Sequence, residues 1–293
     1  MKSFEMYHPL VLFYYFMTVI GMAMFFMHPI YLVLTFMEAV LLNFLLLRHG
    51  FWKKLMMYIP LFFIMAIINP LISHNGELVI LYVNDNAVTM EAICYGMAMA
   101  LMILAVIIWF NSYNGVMTSD KFLYLFGKLS PVLALTISIT MRLVPRFKHQ
   151  IHIITQAQKT IGMDYTSGSV WERIKCVTRI LSILITWALE NAIETADSMK
   201  ARGYGLPERS TFSLFVFEKR DGWLLGVITL LAGISVAGSF LGYTTFYFYP
   251  TFSEMEWSLT SVGFYSVYAV LLAIPIVIEI KENIKWRYLR STI

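Results

Sequence analysis

Charge is scarce in this sequence. Only 14% of its 293 residues are Asp, Glu, Lys or Arg, against roughly 25% in soluble globular domains. The net charge of +4 is too small to suggest a nucleic-acid partner. No GxxxxGK[ST] run occurs, so the chain does not cradle ATP through a phosphate loop. HExxH and GxSxG elements are absent, as are paired intramembrane carboxylates or histidines, which argues against a membrane-embedded transferase or protease. Cysteine is limited to Cys94 and Cys176, far apart and outside any CxxC pair. Neither a disulfide framework nor a thiolate metal site is expected, and no cofactor.

What the chain has in abundance is apolar surface: 59% of residues are hydrophobic and the mean hydropathy is +0.69. An all-α, polytopic helical membrane protein follows. A helix needs roughly 20 apolar residues to cross about 30 Å of hydrocarbon. Six stretches qualify: Pro9 to Met27, Ile30 to Leu47, Leu55 to Leu71, Ala92 to Phe110, Trp223 to Leu241 and Leu259 to Ile280. The opening MKSFEMYHPLVLFYYF has no small-residue cleavage site and reads as a retained first span. The segments Ser73 to Glu91 and Gly242 to Ser258 carry acidic residues and no Lys or Arg, so both lie outside by the positive-inside rule. Both termini are then cytoplasmic and the chain is multi-pass in the plasma membrane, with the lipid bilayer as its solvent.

Four regions are expected: a transmembrane bundle of four spans over 1–117, interfacial or re-entrant helices over 118–144, a cytoplasmic region over 145–222, and a final transmembrane pair with a basic tail over 223–293. In the second region Ser130-Pro131 divides two pieces, Asp120 to Leu129 and Pro131 to Arg142, each too short to cross. Such pieces need protein over their backbone ends.

The third region holds 11 of the 22 basic residues. A helix is expected to start at Pro145-Arg146, since proline suits the first helical position. Phe147, Ile151, Ile154, Gln158 and Ile161 recur on one face, and Gly162 ends the run. A second helix opens at Ser169-Val170-Trp171-Glu172, a capping-box pattern. Its expected apolar stripe is Ile174, Val177, Leu181, Ile185, Ala188, Ala192, Ala196 and Met199, closed by Gly203. Its apolar middle, Ile180 to Leu189, is too short to span. Two amphipathic helices thus end in glycine 41 positions apart, after AQKTIG and SMKARG.

The ordered set RLVPRFKHQI, AQKTIGMDY and ADSMKARGYG, together with NPLISHNG (69–76) and LTISITMRLVPRF, resembles the transmembrane T component of energy-coupling factor transporters. That resemblance implies a non-catalytic scaffold. Two cytoplasmic ATP-binding subunits, identical or different, would dock on the tips of two coupling helices. A separate membrane S component would capture a vitamin or metal ion and be reoriented by the ATPase movement. Ala201-Arg202-Gly203 is then one tip. The matching positions of the other are Thr160-Ile161-Gly162, which lack the arginine, so Ile161 or neighbouring Lys159 would have to make the contact.

Arg202 also has a plain reading, because a cation in the last turn satisfies the negative end of the helix dipole for about 0.3–1 kcal/mol. Its five-donor fork is equally suited to an acidic groove on a partner. Glu38, mid-span, costs roughly 2.5–3.5 kcal/mol to insert and is a possible intramembrane polar site or a packed, neutral one. His149 and His152 have no carboxylate or cysteine beside them to complete a zinc site. The rival readings are a self-contained secondary transporter, which should show inverted repeats, and a membrane enzyme.

Overall fold

The computed structural model describes residues 3–46, 51–73, 75–83, 86–127, 131–206, 215–243, 245–253 and 257–291. Leu47, Leu129 and Ser130, which bound expected segments, lie outside them, as do the acidic residues Asp85, Glu254 and Glu256 of the two segments expected outside. The chain divides into two units, one formed by Met1–Phe122 with Phe215–Ile293 and the other by Leu123–Leu214.

The first unit contains a 3₁₀ turn (Phe4–Met6), α1 (Pro9–Phe25), α2 (Pro29–Leu46), α3 (Phe51–Ile72), a hairpin of β1 (Val79–Val83) and β2 (Asn86–Thr89), α4 (Met90–Val116), the start of α5 (Ser119–Gly127), α8 (Lys219–Phe240) and α9 (Leu259–Ser291). The second contains the end of α5, α6 (Pro131–Thr160) and α7 (Val170–Ala201). The protein is an all-α polytopic membrane protein with one addition, the hairpin. Its strands pair antiparallel from Val83 opposite Asn86 to Val79 opposite Thr89. The sequence signal was there: the apolar run Val-Ile-Leu-Tyr-Val is followed by Asn-Asp-Asn, residue types that favour turns.

Five helices are long and apolar enough to cross a membrane, namely α2, α4, α7, α8 and α9, while Pro9–Phe25 and Met56–Ile72 are shorter apolar helices. The difference from six expected spans lies at three places. α1 and the apolar part of α3 fall short in length, and α7 qualifies by length and composition.

The core of the first unit is aromatic. Trp109, Tyr15, Tyr31, Tyr268, Phe4 and Phe16 are fully buried. Three of them are bonded across helices: Trp109 Nε1 donates to the Thr35 carbonyl (3.2 Å), Thr35 Oγ1 pairs with the Tyr268 hydroxyl (2.8 Å), and the Tyr15 hydroxyl donates to the Leu272 carbonyl (2.9 Å), whereas the Tyr31 hydroxyl has no hydrogen bond to a described residue. In an apolar solvent an unpaired group of this kind is costly. These bonds join α2 to α4, α2 to α9 and α1 to α9. α3 and α4 meet at Gly96, where an added Cβ would lie 2.6 Å from the Ala66 carbonyl oxygen and 3.2 Å from Pro70 Cδ.

Two expectations about the second unit need correction. Pro145 does not start a helix. α6 runs without interruption from Pro131 to Thr160 with Pro145 inside it. The proline forfeits one backbone bond, at about 3 kcal/mol. Breaking the rod there would require a second costly nucleation with no Ser, Thr, Asp or Asn among Arg142, Leu143 and Val144 to cap it. Pro60, Pro70 and Pro275 likewise lie inside helices of this chain. Arg146 is therefore mid-helix too, and the piece expected to end at Arg142 continues.

The second correction concerns the face of α7. Ile174, Val177, Leu181 and Ile185 are about half exposed, whereas Cys176 and Ile180 are buried and Leu184 packs beside them. α7 is apolar on two faces, and α6 takes the one carrying the smaller cysteine.

Candidate coupling site

α6 and α7 form an antiparallel pair inside the second unit. Ile154 of α6 packs with Cys176 and Ile180 of α7. Further along, Phe147 meets Trp187 edge to face at 5.7 Å, and an Arg146 guanidinium nitrogen donates to Asn191 Oδ1 at 3.3 Å. Arg146, expected at a helix start, thus pairs the two rods.

Both glycine-ended helices close by the same arrangement. At the end of α6, the Met163 N–H donates to the Gln158 carbonyl (3.0 Å) and the Gly162 N–H to the Lys159 carbonyl (3.1 Å), with Gly162 at φ +81°. At the end of α7, the Tyr204 N–H donates to the Met199 carbonyl (2.9 Å) and the Gly203 N–H to the Lys200 carbonyl (2.9 Å), with Gly203 at φ +79°. Each is a Schellman closure, with glycine in the left-handed conformation that side chains resist. The registers coincide residue for residue. Lys159 matches Lys200, Thr160 matches Ala201, and Ile161 matches Arg202.

The closure itself is not a functional mark, because α8 ends the same way. There Tyr243 donates to the Gly238 carbonyl and Gly242 to that of Ser239, with Gly242 at φ +88°. The position held by lysine in the two candidate tips is serine in α8. A common helix end is thus distinguished at α6 and α7 by a lysine in the last turn and by what the next two residues present.

The two ends present different things. Ile161 is 62% exposed and a Cβ on Gly162 would meet nothing within 4 Å, so this tip offers an apolar side chain on open ground. Lys159 is engaged by its own loop. Its ammonium pairs with Asp164 at 3.5 Å and lies 5.7 Å from the centre of the Tyr165 ring. Asp164 accepts from the Thr166 N–H at 3.0 Å. That bond, with the Thr166 hydroxyl and then Lys159, holds its carboxyl below the usual carboxylate range. The following loop is also fastened to α7. The Cys176 thiol donates to the Met163 carbonyl (3.5 Å), and Arg179 reaches the Met163 sulfur (3.0 Å). The expected capping box opens α7: the Glu172 N–H donates to Ser169 Oγ, and the Ser169 N–H to Glu172 Oε2.

The α7 end is barer. Arg202 is exposed, and its side chain has no hydrogen bond or ion pair to any described residue. Leu206 folds back toward Gly203, where an added Cβ would come 3.1 Å from its Cδ1, and Gly205 (φ +99°) faces open space. Because Met163 touches Cys176, and Arg202 lies 26 residues beyond Cys176, the tips sit about 40 Å apart at 1.5 Å per residue, near opposite ends of α7.

Sequence reasoning placed the two glycines and missed the Asp164-Tyr165-Thr166 turn that occupies Lys159, although an aspartate two residues before a threonine is a turn signal. Glu38 is part-buried in α2, and its Oε2 makes no hydrogen bond to a described residue. Asn43, in the last turn of α2, donates to Ser112 Oγ at 3.3 Å. His152 pairs with Gln156 at 2.9 Å, and among the described residues no group of three or more His, Cys, Asp or Glu could hold a metal. Cys94 and Cys176 are free thiols.

The family model described as CbiQ, Cobalt transport protein, matches residues 8–213, which include both helix ends. Curated relatives carry the name Energy-coupling factor transporter transmembrane protein EcfT. That of Bacillus selenitireducens is 34% identical over 111 residues, 38% of this chain and 41% of the relative. Those of Bacillus subtilis and Listeria innocua are 35% and 36% identical over 103 residues, 35% of this chain and 39% of each relative. The chain therefore matches about two fifths of these relatives' length. The family match covers well over half of the chain, and with the membrane helices it leads to one conclusion: this chain belongs to the CbiQ cobalt transport protein family.

Proposed function

We propose that the chain is the non-catalytic transmembrane coupling subunit of an ATP-driven importer of a micronutrient, a vitamin or a metal ion. Two cytoplasmic ATP-binding subunits engage the ends of α6 and α7, and their movement passes through these helices to a membrane S component that binds the substrate. The observation that carries this reading is the pair of equivalent helix ends, about 40 Å apart, each with a lysine in its last turn. The names of the curated relatives support it, as does the basic character of 145–222.

On this reading α7 lies on the cytoplasmic side and does not cross. Its uncharged middle, Ile180 to Leu189, is about 15 Å long, half of the hydrocarbon thickness. The second apolar face of α7 rests on the membrane surface. The subunit is multi-pass in the plasma membrane with both termini cytoplasmic, following the distribution of Lys and Arg.

Arg202 enters an acidic groove on one ATPase and Ile161 an apolar one on the other, so the two ATPases are distinct surfaces. Reversing a charge at a desolvated pair costs about 2–5 kcal/mol, more than tenfold in affinity. Arg202→Glu should therefore remove an ATP-binding subunit from the complex purified in mild detergent and abolish coupled uptake, with substrate binding by the S component intact. Retained association and uptake would overturn the proposal. So would a lone chain that transports in liposomes.

A further inference from the structure

The first unit buries three charged side chains close to where the chain enters and leaves the second unit. Lys121, Asp221 and Glu279 are 6%, 1% and 4% exposed. Lys121 lies in α5, just before the second unit begins, and Asp221 lies in the first turn of α8, just after it ends. Burying an ion costs several kcal/mol unless geometry and hydrogen bonds compensate, so these three, set apart from buried Glu91 at the start of α4, call for a common partner.

That partner is the backbone of residues 4–8. The Phe4 N–H donates to Glu279 Oε1 at 3.0 Å and the His8 N–H to Asp221 Oδ1 at 3.2 Å. The Lys121 ammonium donates to the carbonyls of Glu5 and Val116. Arg220 adds a contact to the Met6 carbonyl at 3.5 Å, with its guanidinium 5.2 Å from the Tyr7 ring centre. Asp221 is divided between two tasks, since its other oxygen accepts from the Glu218 N–H at 3.0 Å and caps α8. His8 is likewise divided, because its Nδ1 accepts from the Leu10 N–H and caps α1.

We infer that residues Ser3–His8 are a staple that fastens the departure and return points of the coupling unit to each other, to α1 and to α9, with Lys121 and Asp221 as its positioning residues. Without the staple, α5 and α8 enter the bundle as two separate strands of chain, and movement of the coupling unit is absorbed at those joints. With it, both joints move as one body with the bundle. The inference rests on the coupling role proposed above.

The test uses the full chain in the complex purified from its native membranes, carrying Lys121→Met or Asp221→Asn. The complex should assemble and hydrolyse ATP, while uptake per ATP falls about fivefold or more, the lower end of site-to-site coupling. Unchanged uptake per ATP would overturn the staple. Failure of the coupling role is read separately, through Arg202→Glu, which acts on assembly.

Amide exchange gives a readout that overall destabilisation does not imitate. In Lys121→Met the Phe4, His8 and Glu218 amides should exchange faster together, with Trp109 unchanged; protection kept at Glu218 overturns the proposal. Should that variant not fold, the unmodified protein decides. Phe4, His8 and Glu218 should open as a single unit with one denaturant dependence, and independent opening refutes the staple.

Discussion

The ends of α6 and α7 share a backbone and differ in what they offer. One has its lysine occupied by Asp164 and Tyr165, a loop tied down at Met163, and a bare isoleucine. The other has an arginine free of described partners and two glycines in succession of three residues. The lesson is that a helix terminus can be repeated as a geometry while its chemistry is varied at one position, the residue just before the left-handed glycine.

The largest effect should come from exchanging the two residues. On the proposed coupling role, the double variant Ile161→Arg, Arg202→Ile should lose association with both proposed ATP-binding subunits, more than tenfold for each, measured by co-purification. If the exchanged chain assembles normally, the tips are interchangeable and the comparison collapses. The glycines come next. Gly162→Ala and Gly203→Ala place a Cβ in the left-handed region, at about 1–2 kcal/mol each, read from faster exchange at the Met163 and Tyr204 amides. Gly203→Ala should cost the more, since its Cβ also meets Leu206 whereas that of Gly162 meets open space.

The smallest effect is confined to one tip. The carboxyl of Asp164 is held below its ordinary range, so its contribution is present above the unfolded value and is lost as the pH falls through the folded one. Acidification into and below the carboxylate range should speed exchange at the Thr166 amide and leave Tyr204 unaffected by this group. A parallel change at both ends would show that the ion pair is not what separates them.

Features set by neighbours in sequence were legible. The positive-φ glycines at 162 and 203 and the Ser169–Glu172 capping box read directly from local chemistry. Features set by competition between alternatives were not. Pro145 is a good helix starter, and only the absent cap before it signals that the rod continues. α7 has two apolar faces, and nothing local decides which one α6 takes. The hydrogen bonds of residues 4–8 connect positions more than a hundred apart in sequence, and their charged members look like surface residues until the fold encloses them.

The uninterrupted course of α6 makes it a mechanical part. Thirty residues give a rod about 45 Å long, with its one interior proline, Pro145, near the midpoint. On the proposed coupling role such an element is a lever: a tilt of a few degrees at one end becomes a displacement of ångströms at the other, and a proline at the centre is where that travel would be lost to bending.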